Sequence, residues 1–150
     1  MLTRSGGSAG VAPTRARRGG CLRGACQRER QEDWLELGRG LTARGLRSPL
    51  LVVADGAPGL IGAVTELWPA ADRQRCSVNR LRNVLAKLPR RDELHERVRA
   101  AYWAALDGAG SPDETERGLR QLVGSLERDY PSAAACLAED LPALTVHLAY

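Results

Sequence analysis

The run Leu50-Leu51-Val52-Val53-Ala54, which ends in Asp55-Gly56, constrains the fold of this chain more than any other stretch. Five apolar residues without alternation are typical of a strand covered on both faces, because a half-exposed strand would alternate apolar and polar side chains. In open α/β sheets the chemistry lies at the carboxyl ends of the strands. The sequence therefore predicts an α/β fold in which Asp55, at a strand exit, is the first candidate for a functional carboxylate.

Length and charge limit the class of protein. The chain has 150 residues, enough for one ordinary domain or a part of one. Its net charge is +4, and basic residues concentrate at the N-terminus and from Arg73 to Arg99, which is compatible with a phosphate-bearing partner. No apolar run approaches the roughly 18 residues that cross a bilayer, and residues 1–20 lack the apolar core of a secretory signal. We therefore expect a cytoplasmic protein with reduced cysteines.

The chain divides into three segments by composition. Residues 1–30 are rich in Gly, Ala, Arg and Ser and nearly free of aliphatic side chains, so they predict a disordered leader. Residues 31–77 combine a helical pattern, the strong strand, a second helix and a weaker strand at 73–76. Residues 78–150 predict helices only. The predicted helices lie near 31–44, 58–67, 78–88, 92–107 and 112–128, with a last segment from Pro131 that bends at Pro142.

Two packing predictions accompany these elements. With no Phe in the chain, the three tryptophans, Trp34, Trp68 and Trp103, are the large residues expected in an aliphatic core. One strong strand cannot make a sheet, and the sequence before it offers no partner. The missing strands are therefore expected from another chain or from a larger fold.

The segment from Leu50 to Val64, the pair Trp68-Pro69 and the run Gln74-Arg75-Cys76 through Pro89 together resemble the Mutator-type insertion-sequence transposases of bacteria. The resemblance covers Glu32 to Tyr150. It is specific because strand, acid, helix and the Gln-Arg-Cys link occur at fixed distances. It implies a partial RNase H-like catalytic core over 31–77 and an all-α insertion region over 78–150.

The resemblance also implies the chemistry. The family's core carries an Asp, Asp, Glu triad that holds Mg²⁺ for phosphodiester transfer, and Asp55 matches the second Asp as catalytic and metal-binding residue. The segments that carry the first Asp and the final Glu have no counterpart here, so we expect a truncated, inactive fragment that does not bind Mg²⁺ stably. Residues 1–30 would then be a leader that is read out of frame or is unrelated to the family. The alternative for Asp55 is a turn acid or an N-cap before the helix at Pro58.

A basic cluster is the candidate nucleic-acid-binding surface. The helical stripe of Leu81, Val84, Leu85 and Leu88 places Arg80, Asn83 and Lys87 on another face. A solvated helix face is the alternative, and the absence of interleaved aromatic residues gives no indication of base stacking. The cluster consists of Arg73, Arg75, Arg80, Arg82 and Lys87.

The resemblance places a Cys-x-x-His pair at Cys76, but Asn79 stands where the His would be. A zinc site would need further ligands from His95, Cys136 or His147, and asparagine is a poor ligand. The simpler prediction is a buried cysteine beside an asparagine at a helix start.

The sequence suggests three alternative functions. The first is a truncated transposase fragment that binds DNA. The second is a non-enzymatic basic helical module that binds DNA or pairs with a full-length transposase or a second copy of itself. The third, a doubly wound nucleotide or phospho-acceptor domain, is disfavoured because no Gly-rich phosphate loop follows a strand.

Overall fold

The computed structural model describes residues 23–150, with side chains from Arg30 onward, and is mostly helical with one small parallel sheet. The predicted leader, residues 1–30, lies mainly outside the described residues. Where it is described, from Arg23 on, the chain is already helical, so the predicted helix start at residue 31 is wrong. The helices are α1 Arg23–Ala43, α2 Pro58–Leu67, α3 Ser77–Leu85, α4 Asp92–Asp107, α5 Pro112–Glu127 and α6 Pro131–Ala138, and the strands are β1 Leu51–Ala54 and β2 Asp72–Arg75.

The sheet consists of β1 and β2, which run parallel and are joined through α2. The register pairs Leu51 with Asp72 and Ala54 with Arg75. The strand partner of β1 is therefore β2, the next strand in the sequence. The apolar run of β1 did not predict this pairing. Parallel pairing brings the carboxyl ends of both strands to the same edge.

The second edge of β1 has no strand partner among residues 23–150. Leu50 is 74% exposed and Val53 56% exposed, so the prediction of a strand covered on both faces is wrong for the described chain. The helices α1 and α2 cover the face that carries Val52 and Ala54, while the two C-terminal 3₁₀ turns, Leu141–Leu144 and Val146–Ala149, contact β2. The apolar edge of β1 remains open.

The main hydrophobic core lies among α3, α4, α5, α6 and the first 3₁₀ turn. Tyr102, Leu119, Leu137 and Leu144 are fully buried there. Tyr102 is the large central residue of this core, whereas Trp103 is only half-buried and Trp34 is 41% exposed. The prediction of Trp34 as a core residue is therefore wrong: Trp34 lines a small apolar cavity with residues of α1 and α2, and this cavity leaves it partly exposed.

The helix boundaries follow from local chemistry. Pro58, Pro112 and Pro131 each stand in a first turn, where the missing N–H costs nothing. Ser111 Oγ accepts a hydrogen bond from Glu114 N at 3.3 Å, and Gly110 N donates to Glu114 Oε2 at 2.8 Å, so α5 begins as predicted. α3 ends at Leu85, shorter than the predicted 78–88. Within the described residues, no helix combines the length and the apolar character needed to cross a membrane.

Candidate functional site at the carboxyl edge of the sheet

Asp55 lies directly after β1, at the edge where both strands end. It is exposed, and its Oδ1 accepts a hydrogen bond from Ala57 N at 2.9 Å. This contact closes a turn of the kind that aspartate favours, with Gly56 at φ +87°, and leads the chain into α2. The turn role predicted as the alternative is therefore present, and it leaves the other carboxylate oxygen available to an external group.

The neighbouring acids do not converge on Asp55. Asp72 stands at the opposite end of the sheet, beside Leu51, where its Oδ2 accepts a hydrogen bond from Tyr150 Oη at 2.6 Å. Glu66 pairs with Arg39 at 3.2 Å on the helices. In the part of the chain that the structure describes, no three His, Cys, Asp or Glu side chains form a group that could hold a metal ion. A single carboxylate does not fit a two-ion magnesium centre, so Asp55 would contribute one ligand.

The residues of the predicted basic cluster lie at three different places in the fold. The first is β2, which carries Arg73 and Arg75. Arg75 is half-buried, and its guanidinium lies on the backbone of Gly56, where a Cβ atom would overlap Nη1. Arg73 is exposed and donates to Thr65 Oγ1 on α2. Arg75 therefore shares the carboxyl edge with Asp55, whereas Arg73 is hydrogen-bonded to α2.

Arg80 is the second environment, and its placement corrects the prediction of a surface residue. Its side chain is 1% exposed, and Nη1 donates to Cys136 O at 2.6 Å and to Glu139 Oε2 at 2.8 Å. Arg80 lies on the same side of α3 as Leu81 and Val84, which turn toward the core. It is a buried link between α3 and α6, not part of an exposed basic face.

The third environment is the exposed end of α3. Arg82 and Lys87 are exposed, and neither forms an ion pair with an acidic residue of the described chain. Arg90 and Arg91 continue the exposed basic surface through the turn before α4. The cluster predicted from the sequence did not include these two residues, although two consecutive arginines after Pro89 indicate a basic turn. We name Arg82, Lys87, Arg90 and Arg91 the α3–α4 basic surface.

The Cys76–Asn79 pair forms no metal centre with the other candidates in the described chain. Asn79 Oδ1 accepts a hydrogen bond from Asn83 Nδ2 at 3.1 Å. His95 contacts Pro89 O at 3.0 Å, and His147 Nδ1 lies 2.9 Å from Gln74 Oε1. His95 therefore links α4 to the turn before it, and His147 links the second 3₁₀ turn to β2.

Comparison with known proteins identifies the family. The family model described as "Transposase, Mutator family" matches residues 22–148. The chain belongs to the Mutator family of transposases. The resemblance stated from the residue pattern around Asp55 is thereby confirmed, and the α/β class is compatible with the helices and the parallel sheet.

Curated Mutator-family relatives have longer chains. The chain is 36% identical over 117 residues to the transposase for insertion sequence element IST2 of Acidithiobacillus ferrooxidans, covering 75% of this chain and 38% of that relative. It is 34% identical over 117 residues to the IS6120 transposase of Mycolicibacterium smegmatis, covering 78% of this chain and 35% of the relative. The chain thus spans about a third of the length of these relatives.

Proposed function

We propose that this chain is a segment of a Mutator-family transposase that binds DNA through exposed arginine and lysine side chains and carries one carboxylate, Asp55, of the catalytic site. The observation that carries this proposal is the position of Asp55 at the carboxyl edge of a parallel β–α–β unit, within a segment that matches the family over nearly its whole length. Residues 31–77 then form part of an RNase H-like core, and 78–150 form the helical insertion region.

The open edge of β1 supports the RNase H-like part of the proposal. β1 has one strand partner among the described residues, Leu50 and Val53 are exposed, and a small apolar cavity of about 130 Å³ adjoins Val52 beneath α1. The unpaired N–H and C=O groups of an apolar edge strand without charged side chains favour pairing with another strand. A further strand with apolar residues on both faces fits this position and would extend the sheet.

Charge supports the DNA-binding part. The α3–α4 basic surface has no acidic partner within 4.0 Å among the described residues, so its four positive charges are available to phosphate groups. Contacts of this kind are independent of base sequence and weaken as salt rises. We therefore expect weak, nonspecific binding to duplex DNA.

The experiment measures the affinity of the chain for a short labelled duplex as salt is raised. We expect Arg82→Gln with Lys87→Gln to weaken binding and to reduce the slope of log affinity against log salt by about two phosphate contacts. A matched control, Arg117→Gln with Arg128→Gln, removes the same net charge from two exposed arginines at α5 and its C-terminal end, neither of which forms an ion pair with a described residue. If both double variants bind as the parent does, or both weaken equally, the α3–α4 basic surface is only a solvated face.

The second candidate function is pairing with another transposase chain, and the open edge of β1 is the observation that favours it. In this case the added strand comes from the partner. Capture on an immobilised full-length Mutator-family transposase at high salt, where DNA bridging is removed, distinguishes this function from DNA binding. Replacing the exposed Val53 by lysine would prevent the capture.

A further inference from the structure

The structure assigns a specific ligand to Arg75: we infer that its guanidinium binds a phosphodiester group of DNA at the edge where Asp55 lies. This inference rests on the proposed function and deepens it, because it separates Arg75 from the α3–α4 basic surface. Arg75 would contact the phosphate next to Asp55, whereas the basic surface would follow the DNA backbone farther away.

The position of Arg75 is set by β2 and by a glycine. Arg75 is the last residue of β2 and pairs in register with Ala54, and the Cys76 N–H donates to Ala54 O at 2.7 Å. From there its side chain crosses the end of β1 and lies on Gly56, one residue after Asp55. A Cβ atom at Gly56 would overlap Nη1 and lie 2.9 Å from Nε. The guanidinium and the Asp55 carboxylate therefore belong to the same edge.

The guanidinium of Arg75 is free to bind an external anion. It forms no ion pair within 4.0 Å and no side-chain hydrogen bond with any residue that the structure describes. The acid that it influences is Glu139, and the Glu139 carboxylate is already hydrogen-bonded to Arg80, which lowers its pKa more than Arg75 does. Arg73, on the same strand, donates to Thr65 instead.

A phosphodiester is the ligand that suits this arrangement. The planar guanidinium offers five N–H donors in a fork that matches two phosphate oxygens. Because the side chain rests on the backbone of Gly56 and is half-buried, less conformational entropy is lost when it binds. Beside Asp55, such a contact would hold the phosphate where the family's reaction takes place.

The first test uses two glycines with the same backbone constraint. Gly56 has φ +87° and Gly45 has φ +101°, but a Cβ atom at Gly45 would meet nothing within 4 Å. Gly56→Ala and Gly45→Ala therefore both place an alanine in the left-handed region, which lowers the stability of each variant. Only Gly56→Ala also displaces the Arg75 side chain. We expect Gly56→Ala to weaken duplex binding about tenfold and Gly45→Ala to leave it unchanged.

The second test keeps both glycines, in case Gly56→Ala fails to fold. The Nε–Hε resonances of the arginines are followed by NMR while inorganic phosphate and then a short duplex are added. We expect the Arg75 resonance to shift with both, and Arg75→Gln, but not the α5 variant Arg117→Gln, to weaken duplex binding about tenfold.

Failure of this inference and failure of the proposed function give different results. If duplex binding depends on Arg82 and Lys87 while the Arg75 resonance does not move, the Arg75 inference is wrong and the proposed function stands. Equal effects of Gly56→Ala and Gly45→Ala on binding also overturn the inference. If the parent chain binds no DNA even at low salt, the proposed function itself is wrong.

Discussion

Removal of the Arg80 side chain should cost a large part of the stability of this chain. Arg80→Ala deletes two buried methylene groups, which contribute about 0.8 kcal/mol each to the free energy of unfolding. It also removes the hydrogen bonds from Nη1 to Cys136 O and to Glu139 Oε2, at 2.6 and 2.8 Å. Because the Glu139 side chain is 70% exposed and regains water, we assign these bonds together only about 1.5 kcal/mol. The expected loss is about 3 kcal/mol.

Urea unfolding followed by circular dichroism measures this loss. With an m-value of about 1.5 kcal/mol/M, a loss of about 3 kcal/mol lowers the unfolding midpoint by about 2 M. Arg80→Met should cost less than Arg80→Ala, because it keeps an apolar stem and removes a buried charge whose Nε and Nη2 have no partner among the described residues.

The matched control is Arg82→Ala, which removes an exposed arginine from the same helix. It should change the free energy of unfolding by no more than about 0.5 kcal/mol. The account of Arg80 as a buried link between α3 and α6 is refuted if Arg80→Ala and Arg82→Ala unfold at the same urea concentration.

Two further predictions concern Glu139 and Asp55. The hydrogen bond and the positive charge of Arg80 lower the pKa of Glu139, so this contact stabilises the fold above the unfolded pKa of about 4.3 and is lost as the pH falls through the folded value. NMR titration should find the pKa of Glu139 below its ordinary value in the parent and returned toward it in Arg80→Met; equal values in both would contradict this. With Mg²⁺ or Mn²⁺ and a labelled element end, the chain alone should neither nick nor join DNA, since among the described residues no three His, Cys, Asp or Glu side chains form a group that could hold a metal ion. Activity that disappears in Asp55→Ala would show that further metal ligands exist.

Several elements could be predicted because their signals are local. The apolar run before Asp55 predicts β1, the spacing of Leu119, Leu122 and Leu126 predicts α5, and Ser111 with Pro112 predicts its start. Each signal depends on side-chain sequence within a few turns, where helix capping and strand patterning act. The family match around Asp55 belongs to the same class, because it combines a strand, an acid and a helix that are contiguous in the chain.

Tertiary contacts determined which of the charged and aromatic side chains are buried and which residues meet at the edge of the sheet. Helical spacing alone places Arg80 near both the apolar stripe and the polar face of α3, and its burial depends on the packing of α6, whose residue Cys136 lies 56 residues away along the chain. Trp34 lines the apolar cavity between α1 and α2 but is still 41% exposed, and this depends on how the two helices pack, not on the spacing within α1. The contact of the Arg75 guanidinium with Gly56 requires the parallel register of β1 and β2. This register brings two residues that are distant in sequence to the same edge of the sheet. Local patterns specify which face of an element is apolar, but a charged side chain is buried or exposed according to the partner that folding brings to it.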